Sequence, residues 1–97
     1  MRRADISIAM ATYNGSRFLA EQIQSLADQT VPPMELVVAD DGSTDGTLEL
    51  LERLRDGVPF PIRVLKPVGH VGYVQGFLRA ARECRGSAIA YCDQDDV

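Results

Sequence analysis

The sequence is short of the residues from which several kinds of protein are built. Its only cysteines are Cys84 and Cys92, and its only histidine is His70. The cysteines show no C-x-x-C spacing and no nearby histidine, so neither a thiolate metal site nor a disulfide framework is readable. Both are expected to be reduced, partly buried, small apolar residues. No G-x-x-x-x-G-K-[ST] phosphate loop occurs, and no Ser/His/Asp or Cys/His nucleophile arrangement can be assembled. Ordinary ATPase and hydrolase chemistry thereby loses its main support. Long apolar runs are missing too. The run over residues 6–11, behind Met1-Arg2-Arg3, is too short for a secretory h-region and leads into polar Thr12-Tyr13-Asn14. Nothing approaches the roughly 20 apolar residues of a spanning helix. The expectation is a cytoplasmic protein with no transmembrane segment. Positive charge is also scarce, with ten basic against fourteen acidic residues and a net charge of −4. A phosphate-backbone binder shows the reverse balance, so nucleic acid is excluded as a partner. A nucleotide is not, because a cation and a few backbone N–H groups can hold a diphosphate inside an acidic protein.

What is present is an ordinary globular composition, 45% hydrophobic and 25% charged, in a chain of 97 residues that makes one domain. Short apolar runs alternate with amphipathic stretches. The alternation predicts an α/β fold in β-α-β-α-β-α-β order, a mainly parallel Rossmann-like sheet of about four strands with three helices. The strands are expected over residues 6–11, 35–39, 62–65 and 88–92. The second contains Leu36-Val37-Val38-Ala39, the apolar run of a strand covered on both faces. The first helix is expected over 17–29, with Leu19, Ile23, Leu26 and Ala27 on one face ahead of Pro32-Pro33. The second starts near Ser43 or Asp45, either of which can cap it, buries Leu48, Leu51 and Leu54, and ends at Gly57. The third is expected over 73–84 with a core stripe of Val74, Phe77, Leu78 and Ala81.

Right-handed crossovers point all four strands the same way, so the segments that follow them gather on one edge of the sheet, where open α/β sheets bind ligands. The polar clusters fall there. Thr12-Tyr13-Asn14-Gly15 follows the first strand, where an aromatic ring can flank a nucleobase and N–H groups can meet an anion; alone, it is a strand-to-helix turn. Asp40-Asp41-Gly42-Ser43-Thr44-Asp45 follows the second. There Asp41 can accept hydrogen bonds from a base or ribose, while the same acids also suit a helix entry, and the two readings are compatible. Lys66, Gly69, His70 and Gly72 follow the third strand, and neither Lys66 nor His70 supports a catalytic role. Asp93-Gln94-Asp95-Asp96 follows the fourth, with three carboxylates in four residues. An acidic triplet in a loop is often a solvated turn. At a strand terminus, mutual repulsion and hard oxygen ligands favour Mg²⁺ or Mn²⁺, which take further ligands from substrate phosphates.

Together, Ala11-Thr12-Tyr13-Asn14-Gly15, Gln29-Thr30, the Asp41-Gly42-Ser43-Thr44-Asp45-Gly46-Thr47 run, Gly72-Tyr73-Val74 and Asp93-Gln94-Asp95-Asp96-Val97 resemble the N-terminal half of glycosyltransferase family 2, in particular its rhamnosyltransferase-like subgroup. The resemblance covers essentially the whole chain. It implies a GT-A fold, a nucleotide-diphospho-sugar donor (a UDP or dTDP sugar), a saccharide acceptor, and Mn²⁺ or Mg²⁺ between the diphosphate and the acidic motif. It also implies inversion at the anomeric carbon and a role in bacterial cell-surface polysaccharide synthesis, peripheral at the inner face of the membrane in a full-length protein. The implied donor-site residues are Ala11, Thr12, Tyr13, Asn14, Asp40, Asp41, Gly72 and Asp93, and the implied metal ligands are Asp95, Asp93 and Asp96. His70 stands where members commonly carry Asn, and Gln75-Gly76 where a basic residue and Asn often follow.

The resemblance places the family's general base beyond Val97, so no catalytic residue is expected within these 97 residues. Exposed apolar faces and self-association are expected of the chain alone. The rivals are a noncatalytic nucleotide-binding or scaffold module of the same fold and a receiver-like phospho-acceptor domain. The latter wants an acid pair near the first strand, where this sequence has Thr12-Tyr13-Asn14. The expected outcome of a transferase assay on the 97 residues is donor binding without turnover; measurable sugar transfer would overturn it.

Overall fold

The structure, a computed structural model, describes residues 5–29, 31–65, 69 and 71–93, with backbone alone for residues 73 and 91–93. The elements run β1 (Ile6–Thr12), α1 (Ser16–Ala27), β2 (Glu35–Asp40), α2 (Thr47–Leu54), β3 (Ile62–Val64), α3 (Tyr73–Arg82) and β4 (Ala88–Asp93). The four strands form one parallel sheet in the order β3-β2-β1-β4, the α/β architecture that the alternation predicts. Among the described residues no helix is long and apolar enough to cross a membrane.

Side chains alternate across a strand, so each strand feeds two cores. Ile8 and Met10 of β1, Leu36 and Val38 of β2 and Ile62 of β3 pack with Leu19, Ile23 and Leu26 of α1, Leu51 of α2 and Phe60. The opposite face presents Ala9, Val37 and Ala39, which meet Ala80 of α3, with Phe77, Ala81 and Cys84 packed against them. This second core is thin because its floor is largely alanine. A Cβ placed on Gly76 of α3 would lie 3.6 Å from the Cβ of Ala11 and 3.8 Å from that of Ala39. The helix therefore approaches the sheet through its smallest residues.

That approach corrects half of the expected stripe of α3, since Phe77 and Ala81 pack on this core as expected but Val74 and Leu78 do not. Gly76 and Ala80 are buried, whereas Val74 is 70% and Leu78 43% exposed. Apolar periodicity counts large side chains and gives glycine no weight, yet a shallow alanine floor rewards close backbone approach. Val71, Val74, Leu78 and Ile89 are left as exposed apolar residues. Boundaries differ at several ends. β1, β2 and β4 each run one residue further than expected and finish on Thr12, Asp40 and Asp93, while β3 is shorter, ending at Val64. α1 and α3 stop at Ala27 and Arg82, and α2 tightens into a 3₁₀ turn over Arg55–Gly57.

At the edge where the strands begin, a polar latch joins the sheet to the segment after α3. Glu35, the first residue of β2, is buried. It accepts hydrogen bonds from the Ser7 hydroxyl and the Arg85 amide, each at 2.6 Å, and faces the Arg63 guanidinium at 3.4 Å. Burial pushes the Glu35 carboxyl up, but the Ser7 hydroxyl, the Arg85 N–H and Arg63 together outweigh it and hold the group below its ordinary value. Arg63 continues to Glu83 at 3.6 Å, and the Gly86 N–H donates to the Ser7 hydroxyl at 2.8 Å. Half-buried Cys84 is a free thiol, raised above its ordinary pKa chiefly by burial, in line with an inert small apolar residue.

Two glycines in this framework respond oppositely to one substitution. Gly76→Ala replaces a mid-helix glycine where the new methyl finds ordinary contacts, and is expected to stabilise by about 0.5–1 kcal/mol. Gly86→Ala drives its methyl to 2.5 Å from the carbonyl oxygen of Asp5 and 2.9 Å from the amide of Ser7, and is expected to cost about 1–3 kcal/mol. Thermal denaturation of the two variants reads both signs.

Candidate functional site

The edge where the strands end is organised by pairs that the register dictates. In the β1–β2 ladder Thr12 sits opposite Asp40, and on the other side of β1 Ala11 sits opposite Asp93. β1, β2 and β4 thus deliver Thr12, Asp40 and Asp93 side by side. The loops that follow β1 and β2 stay zipped beyond the ladder at nearly the same sequence offset. The Asp41 N–H donates to the Thr12 carbonyl at 2.8 Å. The Asn14 N–H donates to the Ser43 hydroxyl, and the Thr44 N–H to Oδ1 of Asn14, both at 2.8 Å. Asn14 adopts φ 49° and Gly42 φ 85°, left-handed conformations that asparagine and glycine tolerate better than other residues.

The neighbouring aspartates do different work. Asp40 is 4% exposed and spends its carboxylate on the protein. Oδ1 accepts from the hydroxyls of Thr12 (2.7 Å) and Ser43 (2.6 Å), and Oδ2 from the N–H groups of Gly42 (3.1 Å) and Ser43 (2.8 Å). A carboxylate has about four lone-pair positions, and these are taken. Any ligand contact by Asp40 would have to displace one of these bonds. Thr12 and Ala11 are likewise buried, so three of the expected donor-site residues form the floor beneath the edge.

Tyr13, Asn14, Asp41 and Gly72 lie above that floor. Tyr13 is 40% exposed. Asp41 is half-buried, and its Oδ1 accepts the N–H groups of Val71 at 2.7 Å and Gly72 at 3.3 Å. Asp41 thereby ties the segment before α3 to the ends of β1 and β2. Gly72 supports this as the N-cap of α3 at φ 88°, ψ 162°, a backbone conformation that side-chain-bearing residues rarely adopt. Asp93 is the last residue of β4, on the same edge. Lys66, His70, Gln94, Asp95 and Asp96 lie outside the described residues, and among those described no group of three His, Cys, Asp or Glu side chains makes a metal site. Asp93, the first residue of the acidic motif, pairs with Ala11 at this edge, and hard carboxylate oxygens are the donor set a divalent cation takes.

Ser43 and Asp45 were expected only as alternative caps of α2, and the structure gives both a larger part. α2 begins at Thr47 with Gly46, at φ 90°, in the N-cap position and no side-chain bond from it. Ser43 does not cap the helix; its hydroxyl joins Asp40 to the Asn14 amide. Asp45 caps from one position further out and reaches two helices. Its Oδ1 accepts the Thr47 N–H (3.1 Å) and hydroxyl, and its Oδ2 accepts the Ser16 N–H (3.2 Å) and hydroxyl (2.9 Å) at the start of α1. A constant offset of 28 to 30 residues between partners in the two loops was the available signal, but only once the strand register is known.

The sequence profile of glycosyl transferase family 2 matches residues 7–97. The dTDP-rhamnosyl transferase RfbG of Shigella flexneri is 33% identical over 92 residues, covering 91% of this chain and 32% of the relative. The crystal structure of S. aureus TarS 1–349 superposes with a TM-score of 0.78 at 30% identity, covering 93% of this chain and 27% of that one. TarS 1–349 has also been solved in complex with UDP. The mannosyltransferase PcManGT from Pyrobaculum calidifontis, in complex with GDP-Man and Mn²⁺, superposes with a TM-score of 0.86 over 98% of this chain and 28% of its own. At 24% identity that likeness speaks for the fold alone. The chain spans 28% and 32% of the length of the first two curated relatives it matches.

The Asp45 arrangement sets an acid dependence. The Thr47 hydroxyl foremost, with the Ser16 and Thr47 donors beside it, holds the Asp45 carboxyl at about 2 against an ordinary 3.8. A depressed carboxyl contributes stability that is complete above the unfolded value and lost as pH falls through the folded one. The contribution of Asp45 is therefore expected to fade between about pH 4 and pH 2. The stability difference between the wild type and Asp45→Asn, measured by denaturant titration, should shrink across that window; a constant difference would remove the assignment.

Proposed function

This chain belongs to glycosyl transferase family 2, and on that premise we propose that residues 1–97 are the donor-binding part of a metal-dependent glycosyltransferase. The reaction is inverting transfer of a sugar from a nucleotide-diphospho-sugar to a saccharide or lipid-linked saccharide acceptor, on the cytoplasmic side of the membrane, in bacterial cell-surface polysaccharide synthesis. The observation that carries the reading is the assembly of one edge from separate strands. Thr12, Asp40 and Asp93 end three adjacent strands, and Asp41 draws the Val71–Gly72 segment to the same place. Parallel sheets bind ligands at that edge.

In this proposal the exposed ring of Tyr13 flanks the base, Asn14 and Asp41 border the nucleoside, and Gly72 lets backbone pass close to the ligand. Ala11, Thr12 and Asp40 keep that surface in shape from beneath. Asp93 approaches the ribose or sugar side, and Asp95, with Asp93 and Asp96, holds Mn²⁺ or Mg²⁺. The cation supplies charge neutralisation for the departing nucleoside diphosphate. The names of similar proteins support this choice of donor class: RfbG is a dTDP-rhamnosyl transferase, TarS has been crystallised with UDP, and PcManGT with GDP-Man and Mn²⁺. The exposed Val74, Leu78 and Ile89 support self-association of the chain by itself.

Calorimetry with UDP, dTDP and GDP, with and without Mn²⁺, tests the reading. The expected result is binding of at least one nucleotide that strengthens with Mn²⁺ and weakens by about tenfold or more, ~1.4 kcal/mol, in Asp95→Ala. If none of the three binds under either condition, the noncatalytic scaffold of the same fold takes its place.

A further inference from the structure

Asp45 is not among the residues expected to touch donor or metal, yet its carboxylate stands where two helices begin. One oxygen receives the N–H and hydroxyl of Ser16, the first residue of α1. The other receives the N–H and hydroxyl of Thr47, the first residue of α2. Helix N-termini carry unpaired N–H groups and a partial positive charge, so an anion between two of them is favoured by both. We infer that Asp45 is a positioning residue for the nucleotide edge, setting by this double cap how the loop bearing Tyr13 and Asn14 sits against the loop bearing Asp41.

Three observations carry the inference. The two loops leave neighbouring parallel strands and each runs directly into a helix that Asp45 holds, so the position of either helix start fixes the far end of its loop. The near ends are fixed independently by the Thr12–Asp40 pair and the strand ladder. Between these anchors Asn14 is tied to Ser43 and Thr44, which lie on the stretch that Asp45 terminates. Losing Asp45 therefore frees the loops while the strands stay paired. The site also needs an acceptor at both oxygens. Asparagine offers one acceptor oxygen, and its NH₂ would face the donors of Ser16 or Thr47. The low pKa of the group, about 2, agrees with an anion surrounded by donors.

The assignment rests on the nucleotide reading for its effect on affinity, and the test separates the two. Amide hydrogen exchange and nucleotide calorimetry are measured on the wild type, Asp45→Asn and Asp45→Ala, well below their melting temperatures. The expected result is faster exchange, by about tenfold or more, at the amides of Asn14 and Thr44, with those of Met10 and Val38 unchanged. UDP, dTDP or GDP should then bind on the order of tenfold more weakly at unchanged stoichiometry, since small misplacements of binding groups are costly. Uniform loosening of strands and loops together, with the remaining folded protein binding as tightly as the wild type, would make Asp45 a structural cap only and overturn the assignment. So would unchanged exchange at Asn14 and Thr44, or unchanged affinity in variants of a wild type that binds. A wild type that binds none of the three nucleotides defeats the nucleotide reading and this residue's claim on affinity, while the exchange data still decide whether it pins the loops. Should the Asp45 variants fail to fold, Thr47→Val removes one donor and keeps the charge. It must then speed exchange at the same two amides by a smaller factor, and no change there overturns the assignment.

Discussion

β2 can pair with β1 in more than one register as far as its backbone is concerned, and the side chains decide which one survives. The ladder is closed at both ends by a hydroxyl on β1 and a buried carboxylate on β2, Ser7 with Glu35 and Thr12 with Asp40. Both hydroxyl residues are fully buried and both acids nearly so. A slip by one residue would send Ile8, Met10, Leu36 and Val38 to the wrong faces relative to one another and would take from each buried carboxylate its hydroxyl donor on β1. Burying a carboxylate is costly, and a hydrophobic pair would stabilise such a position at least as well. What the acids add is a penalty on every alternative pairing. The candidate site inherits that choice, because the contacts between the loops after β1 and β2 continue the same offset.

The alternation of apolar runs made the fold legible, since four short runs separated by amphipathic stretches leave few arrangements other than a parallel sheet. The side of α3 that meets the sheet was legible only in part, through Phe77 and Ala81. Val74 and Leu78 satisfy a helical stripe, but the floor they would have to enter is built from Ala9, Ala11 and Ala39, and Gly76 and Ala80 fill the narrow gap instead. Packing depth depends on which residues of another strand lie opposite, and that is information a local pattern does not hold. Of the two expected caps of α2, Asp45 does hold the Thr47 amide, and what was hidden has a related cause. Ser43 and Asp45 both look like caps of the helix that follows, yet Ser43 was claimed by Asp40 and Asn14, and Asp45 was shared with a helix that begins 29 residues earlier.

The location of the candidate site was legible from topology, because polar clusters placed after successive parallel strands must meet at one edge. The division of labour within it was hidden by adjacency. Asp40 and Asp41 stand side by side in the sequence, but Asp40 ends the strand and drops into a ring of four donors, while Asp41 has left the strand and reaches the Val71 and Gly72 amides. Chemical type alone assigns both acids to a ligand. What separates them is where β2 ends, on Asp40 itself, one residue beyond the apolar run.

A consequence follows for how such an edge binds anything charged. Asp40 and Asp45 both spend their carboxylate oxygens on protein donors. Their donors are largely the hydroxyls and N–H groups of residues 12, 16, 42, 43 and 47, groups that in many α/β proteins would face the ligand. Asp45 already takes one backbone N–H at the start of each of α1 and α2. Under the proposed function, charge neutralisation of a diphosphate would fall to a divalent cation, for which the carboxylates at positions 93, 95 and 96 offer hard oxygen donors.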